Sequence, residues 1–393
     1  MKNKRNKKFG AAFGEAIAEI ILTLLAAAIG FGIFKLFGAS DDFIGRNSDL
    51  MILVGLFIPA LALAALIVIL MKIFGEKKPK KKEKTLDIIL DTDVGSDCDD
   101  MMALAYLIYA KRNLSLDIKA ITHSNSCPEG IPAMRAFFGH LDEAAPPIGK
   151  PECDIEYHDK YAKAVTEKFA GEECYAAADS AVSVMRRALL ESTDAVILGI
   201  GPMTNIAALL DSAPDEISPL DGISLVRERC RKIVLMAGDF VSGKPEWNVK
   251  LDIPAMQTVV NKSPVPIAFL PFEVGYGMIT GKPIMDEFGE NNPLSLSFMR
   301  FPGTDKLGGR HSWDPAAAVY AVLGDSEYLT ESEPQRVTVT DEGVTVAVPE
   351  RGGMHTVISL RMREGESEAD AKARVAAYID GCAVEIYNKQ SNK

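Results

Sequence analysis

Five carboxylates, Asp91, Asp93, Asp97, Asp99 and Asp100, fall within the segment DTDVGSDCDDMMAL, directly after the apolar run LDIIL (86–90). Like charges this close repel strongly unless a cation or a raised pKa relieves them. A hard cation with oxygen ligands is the natural remedy, and Ca²⁺ and Mg²⁺ both qualify. Gly95 allows the sharp turn that such a segment needs. A solvated acidic loop capping a helix accounts for one or two aspartates, since Asp is a good N-cap, but not for five after a strand.

The elements around the cluster read as alternating strand and helix. LDIIL is a buried-strand run, and DDMMALAYLIYAKR (99–112) follows as an amphipathic helix opening with carboxylates, where a helix N-terminus favours them. Further strands are expected at 116–122, 195–200, 232–238 and 266–271, a hairpin at 336–348 and a closing helix at 368–387. Alternation over this length implies an α/β fold with a mostly parallel central sheet flanked by helices. Such folds place their sites in loops at the carboxyl ends of strands, which is where the aspartates lie. An EF-hand does not fit, because Gly is misplaced and no Glu closes the loop. A phosphoaspartate-forming phosphatase also puts Asp-x-Asp after a first strand, but its usual hydroxyl residue is replaced here by Gly95.

DTDVGSDCDDMMAL resembles the N-terminal signature of the inosine–uridine-type nucleoside hydrolases, Asp-x-Asp-Pro-Gly-x-Asp-Asp, as a DxDxGxDxDD variant with Val94 for Pro and two extra residues. Three further segments resemble that family in its order: GIGPMTNIA (199–207), VLMAGDF…PEWNVKLDIPAM (234–256) and HSWDPAAAVY (311–320). The resemblance covers residues 86 to about 387. It implies a Ca²⁺ site made by Asp93, Asp100, Asp314 and the backbone carbonyl of Ile200, with Asp99 as the catalytic base. It implies substrate contacts from Asn125, Met236, Glu246, Asn248 and Trp313. Asp97 is left over by the match and competes with Asp99 for the base. Asp91 and His311 are further candidate site residues to which the match assigns no particular role.

The implied activity is hydrolysis of the N-glycosidic bond of ribonucleosides to base and ribose, as in purine and pyrimidine salvage. Where inosine- and uridine-preferring members place a His before the last metal ligand, this chain has Trp313. Indole cannot protonate a leaving base, though it can stack on one. The nucleobase preference and the group that assists its departure therefore stay open. A different class of function also stays open, a Ca²⁺-dependent ribose- or nucleoside-binding membrane protein without catalysis. The resemblance further implies that copies associate as dimers or tetramers.

The chain of 393 residues divides by charge. Residues 1–85 carry 14 Lys/Arg and 7 Asp/Glu, about +7, so with −11 overall the remainder is near −18. An acidic body argues against nucleic acid as a partner. Residues 50–71 form an uncharged apolar run long enough to span a bilayer, and a shorter apolar stretch at 11–37 precedes it with Glu15 and Glu19 on one helical face. Lysines flank both runs and Asp41, Asp42 and Asp49 lie between them, which places both termini in the cytoplasm. The expected organisation is a transmembrane hairpin over 1–75, a basic linker over 76–85 that also meets lipid headgroups, and a cytoplasmic catalytic domain over 86–393. Six scattered cysteines without a CxxC pair are read as reduced thiols.

Overall fold

The computed structural model describes residues 85–388, apart from Cys153 and Glu156. The chain divides into two units, Met1–Glu83 and Lys84–Lys393, and the second is described below. Among the described residues no helix is long and apolar enough to cross a membrane. The hairpin expected over 1–75 and all but the last residue of the basic linker lie outside the described residues.

The described residues form twelve strands: β1 (Leu86–Thr92), β2 (Leu116–His123), β3 (Ile148–Gly149), β4 (Ala195–Gly199), β5 (Cys230–Met236), β6 (Ile267–Leu270), β7 (Ile279–Thr280), β8 (Arg310–His311), β9 (Leu329–Glu331), β10 (Gln335–Val339), β11 (Thr345–Pro349) and β12 (His355–Leu360). Ten of them form one sheet in the order β11-β10-β12-β6-β5-β4-β1-β2-β3, with β9 beside β12. The run from β12 to β3 is parallel. Strands β9, β10 and β11 add antiparallel edges. The expected sheet is therefore present, with strand boundaries within two residues of the sequence reading.

Helices cover both faces, so the central strands are apolar at successive positions rather than at alternate ones. Ile88 and Leu90 point to one core with Leu198, Val234 and the helix Asp99–Asn113. Ile89 points to the other with Ile197, Ile233 and the helix Thr204–Asp211. The helix Asp99–Asn113 corrects the sequence reading of an amphipathic element. It is apolar all round, with Met101 to Ile108 fully buried. The helices Asp314–Leu323 and Glu368–Asn388 pack over it, and a helix hydrophobic on every side is one that is enclosed.

Strand order reverses at β1, which has β2 on one side and β4 on the other. The chains leaving β1 and β4 diverge there and open a crevice at the carboxyl ends of the strands, the ligand position of open α/β sheets. Asp91, the last but one residue of β1, fastens this junction from below. Its carboxylate accepts hydrogen bonds from Thr122 Oγ1 (2.5 Å) and Asn205 Nδ2 (2.8 Å), and its carbonyl accepts from Ile200 N (2.8 Å). Asn205 also donates to the His123 carbonyl at 2.9 Å, so one buried amide ties β1, β2 and the helix after β4 together. Replacing Asn205 with Ala strips one hydrogen bond from a buried carboxylate and one from a buried carbonyl. Asn205→Ala is expected to lose about 1–3 kcal/mol of stability, read as a lower midpoint in urea unfolding.

Candidate active site

The loop after β1 and the start of the next helix deliver the aspartates. Gly95 takes φ +114°, a left-handed conformation that turns the chain back toward the helix. The Tyr161 hydroxyl receives the Gly95 N–H at 2.9 Å and donates to the Asp97 carbonyl at 2.9 Å, bracing the turn. Asp99 and Asp100 then form the first turn of Asp99–Asn113, and Asp314 opens Asp314–Leu323. Two helix N-termini therefore converge on one buried point, and their dipoles favour negative charge there. Carboxylate oxygens of Asp99, Asp100 and Asp314 lie within 4.8 Å of one another, and all three residues are buried.

The trio lines a cleft of about 330 Å³ together with Asp93, Asp97, Ile200, Met236, Glu246, Asn248 and Trp313. Nine of the residues expected from the sequence thus meet in one place, counting Asp99, Asp100 and Asp314 but leaving Asp97 aside. Asp93 lines the cleft outside the closest trio. Its approach to the loop after β4 depends on Gly201, where a Cβ would stand 2.4 Å from Ser124 Oγ and 3.0 Å from Asp93.

Burial is the main force on these carboxyls. It lifts Asp91 to about 7, Asp93 to about 6 and Glu246 to about 7, and it drives Asp99, Asp100 and Asp314 well above the carboxylate range. Repulsion adds to burial, from Asp97 at Asp99, from Asp93 and Asp99 at Asp100, and from Asp99 and Asp100 at Asp314. Asp100 Oδ1 accepts from Thr92 Oγ1 and from Asp93 N (3.2 Å), while its buried Oδ2 has no protein partner. An unpartnered buried carboxylate oxygen among like charges fits a hard divalent cation. The Ile200 carbonyl borders the same space and accepts from Asn248 Nδ2 at 3.1 Å.

The remaining expected residues take distinct positions. Asp99 Oδ2 accepts from the backbone N–H of Trp313 (3.0 Å) and of Asp314 (3.2 Å), which fixes its rotamer. Glu246 caps the helix Trp247–Leu251 by accepting from Asn248 N and Val249 N, and Asn248 Nδ2 also donates to the Met236 carbonyl at 3.1 Å. Asn125 does not line the cleft. Its amide donates to the Asp93 carbonyl (2.9 Å) and Ser96 Oγ (3.0 Å) and accepts from Cys127 N, so it braces the loop that carries Asp93. His311 also stays outside the lining, taking the Gly277 N–H on Nδ1 at 3.0 Å. Asp91 lies beneath the floor as described above.

Asp97, surplus to the sequence match, is bound by Arg310. The guanidinium Nε reaches both carboxylate oxygens (2.9 and 3.0 Å), and Nη2 makes a third, short contact. Arg310 was not foreseen from the sequence, nor were Lys160 and Phe272, which also line the cleft. The one available signal for Arg310 was its place four residues before Asp314 at the edge of the last matching segment.

Residues 88–385 match the family model described as inosine-uridine preferring nucleoside hydrolase. The chain belongs to that family. The fold is similar to that of an inosine-uridine preferring nucleoside hydrolase from Bacillus anthracis, with TM-score 0.56, 15% identity, 74% of this chain and 99% of the other. It is also similar to a purine-preferring ribonucleoside hydrolase from Gardnerella vaginalis, with TM-score 0.54, 20% identity, 76% of this chain and 99% of the other. The type III effector XopQ, solved with adenosine diphosphate ribose, shares the fold with TM-score 0.52 and 14% identity over 76% of this chain and 94% of that one. An uncharacterized Schizosaccharomyces pombe protein is 34% identical over 89 residues, 21% of this chain and a quarter of that relative's length.

For this nucleoside hydrolase family member the raised carboxyls carry a pH consequence. A carboxyl whose folded pKa exceeds its unfolded value keeps a proton that the unfolded chain has lost, so stability falls as pH rises between the two values. Without a cation, Asp91, Asp93 and Glu246 set that window from about pH 4 to 7. The cation-free protein is expected to unfold at lower temperature at pH 7.5 than at pH 5. A divalent cation seated among these carboxyls is expected to reverse much of that loss, by about 2.7 kcal/mol at a hundredfold excess over its Kd. Differential scanning calorimetry at the two pH values, with EDTA and with Ca²⁺, checks both effects.

Proposed function

We propose that the chain hydrolyses the N-glycosidic bond of ribonucleosides, releasing base and ribose. The observation that carries this reading is the convergence of Asp99, Asp100 and Asp314 in a buried cleft of a nucleoside hydrolase family member. The ion is Ca²⁺, held by Asp93, Asp100, Asp314 and the Ile200 carbonyl, as the family resemblance implies. When bound, it supplies positive charge that orients ribose hydroxyls and acidifies a water molecule.

Asp99 is the base that takes a proton from the attacking water. Burial and the charge of Asp97 raise its proton affinity, the direction that a base requires. Its Oδ2 is fixed by two backbone N–H groups, which leaves Oδ1 for the water. Asp97 is disfavoured for this role, because the Arg310 guanidinium engages both of its oxygens. Glu246, Asn248 and Met236 form the sugar end of the cleft. The charge that develops on the sugar ring as the base leaves is positive, and the surrounding carboxylates favour it. The Trp313 indole stacks on Phe272 with centroids 5.5 Å apart and forms the aromatic wall of the base end.

Attachment to the cytoplasmic membrane face through residues 1–75, with lipid contacts from the lysines after them, is part of this proposal. It rests on the two apolar runs and their charge flanks. Association of copies rests on the family alone.

A reducing-sugar assay over uridine, cytidine, inosine and adenosine, with and without EDTA, tests the reading on the full chain. Ribose release that EDTA abolishes is expected for at least one of them. Ribose binding by calorimetry without any release would instead support a binding protein. Asp99→Asn is expected to lower kcat by at least about 10²–10⁴-fold while Ca²⁺ binding is retained. Full activity in Asp99→Asn, or loss confined to Asp97→Asn, would move the base to Asp97.

A further inference from the structure

We propose that Arg310, held in place by Asp97, meets the departing nucleobase and stabilises the negative charge that develops on it. The inference rests on the nucleoside hydrolase reading of the cleft and assigns the residue that this reading leaves missing.

Breaking the C1′–N bond leaves the bonding electron pair on the base nitrogen, a poor resting place unless a donor faces it. The residue before the last aspartate does not supply that donor. Trp313 Nε1, the indole's one N–H, is donated to the Phe272 carbonyl at 2.8 Å. His311 is engaged by the Gly277 N–H and packs between Tyr276 and Trp313, outside the cleft lining.

Arg310 is placed where the donor is needed. Strand β8 pairs with β7 in a two-stranded ribbon and brings Arg310 to the wall that also carries Trp313 and Asp314. Its guanidinium lies 4.7 Å from the centre of the Phe301 ring and 5.2 Å from that of Trp313. These contacts and the pair with Asp97 restrict its orientation. Asp97 occupies Nε and Nη2, so Nη1 lies outside the pair. Both side chains remain about one quarter exposed, so the pair borders the cleft rather than being sealed behind it. The surplus aspartate of the loop and the arginine near the absent histidine thus form one device.

A guanidinium does not release its proton at working pH, so Arg310 acts by hydrogen bonding and charge. The electron pair of the C1′–N bond passes to the base nitrogen, against which an Arg310 N–H is directed. Water delivers hydroxide to C1′ and its proton to Asp99. The departed base takes a proton from solvent, and Asp99 returns its own to solvent, which closes the balance. Arg310 is a catalytic residue in this account and Asp97 a positioning residue.

The test compares kcat/KM for the best nucleoside substrate and for p-nitrophenyl β-D-ribofuranoside, whose leaving group departs with little help. Arg310→Gln is expected to lose about 10²–10³-fold on the nucleoside, with a loss at least tenfold smaller on the p-nitrophenyl substrate. Arg310→Lys keeps the charge and is expected to recover part of the nucleoside rate. Asp97→Asn is expected to show the same selectivity with a smaller loss. Equal losses on both substrates would mark a structural role and overturn the proposal, as would no loss on either. A wild-type chain that cleaves the p-nitrophenyl riboside but no nucleoside would also overturn it. Wild-type inactivity on both would instead remove the nucleoside hydrolase reading on which it rests.

Discussion

The site depends on one constraint, the crowding of three buried carboxylates from two helices. Asp99 and Asp100 begin one helix and Asp314 begins another, and their oxygens share a space under 5 Å across. Such a group is costly in a low-dielectric interior unless protons or a cation neutralise it. The two helix dipoles and the N–H groups of Trp313 and Asp314 offset only part of that cost. The architecture around the site is concerned with holding these oxygens together despite their repulsion.

That holding is distributed through the sheet. Asp91 and Asn205 lock the junction where strand order reverses, so the loops after β1 and β4 leave from a fixed base. The enclosed helix Asp99–Asn113 cannot slide, because side chains are buried on every side of it. Asn125 grips the Asp93 loop from below. Glu246 and Asn248 arrive by a third route, the loop after β5, where Glu246 caps a short helix and aims Asn248 at the Ile200 carbonyl. A rigid scaffold with polar residues at strand ends is a general way to obtain precise placement from flexible side chains.

Much of this was legible in the sequence because it is local. Apolar runs announced β1, β2, β4, β5 and β6, and the spacing of aspartates after the first run announced a cation-seeking loop. Matching segments in order then joined Asp314 to the loop from more than two hundred residues away. What was not legible is what depends on packing alone. The helix after β1 read as amphipathic because its few polar residues lie at its ends, and only the covering helices reveal its enclosure. Asn125 reads in the sequence as a substrate contact, whereas its amide is committed to the Asp93 carbonyl in the loop after β1 and to Cys127 N in its own loop. Arg310 was invisible because nothing in its immediate neighbours says that a loop carboxylate 213 positions earlier receives it. Asp97 correspondingly looked like a spare base until its partner was seen.

The central claim of the proposed function is that Asp93, Asp100 and Asp314 hold one divalent cation against the Ile200 carbonyl. Anomalous diffraction from crystals grown with Mn²⁺, collected above and below the metal's absorption edge, tests it most directly. The account predicts a single strong peak bounded by Asp93, Asp100, Asp314 and the Ile200 oxygen. Clear density for the four residues with no peak between them, or a peak only elsewhere, would contradict it.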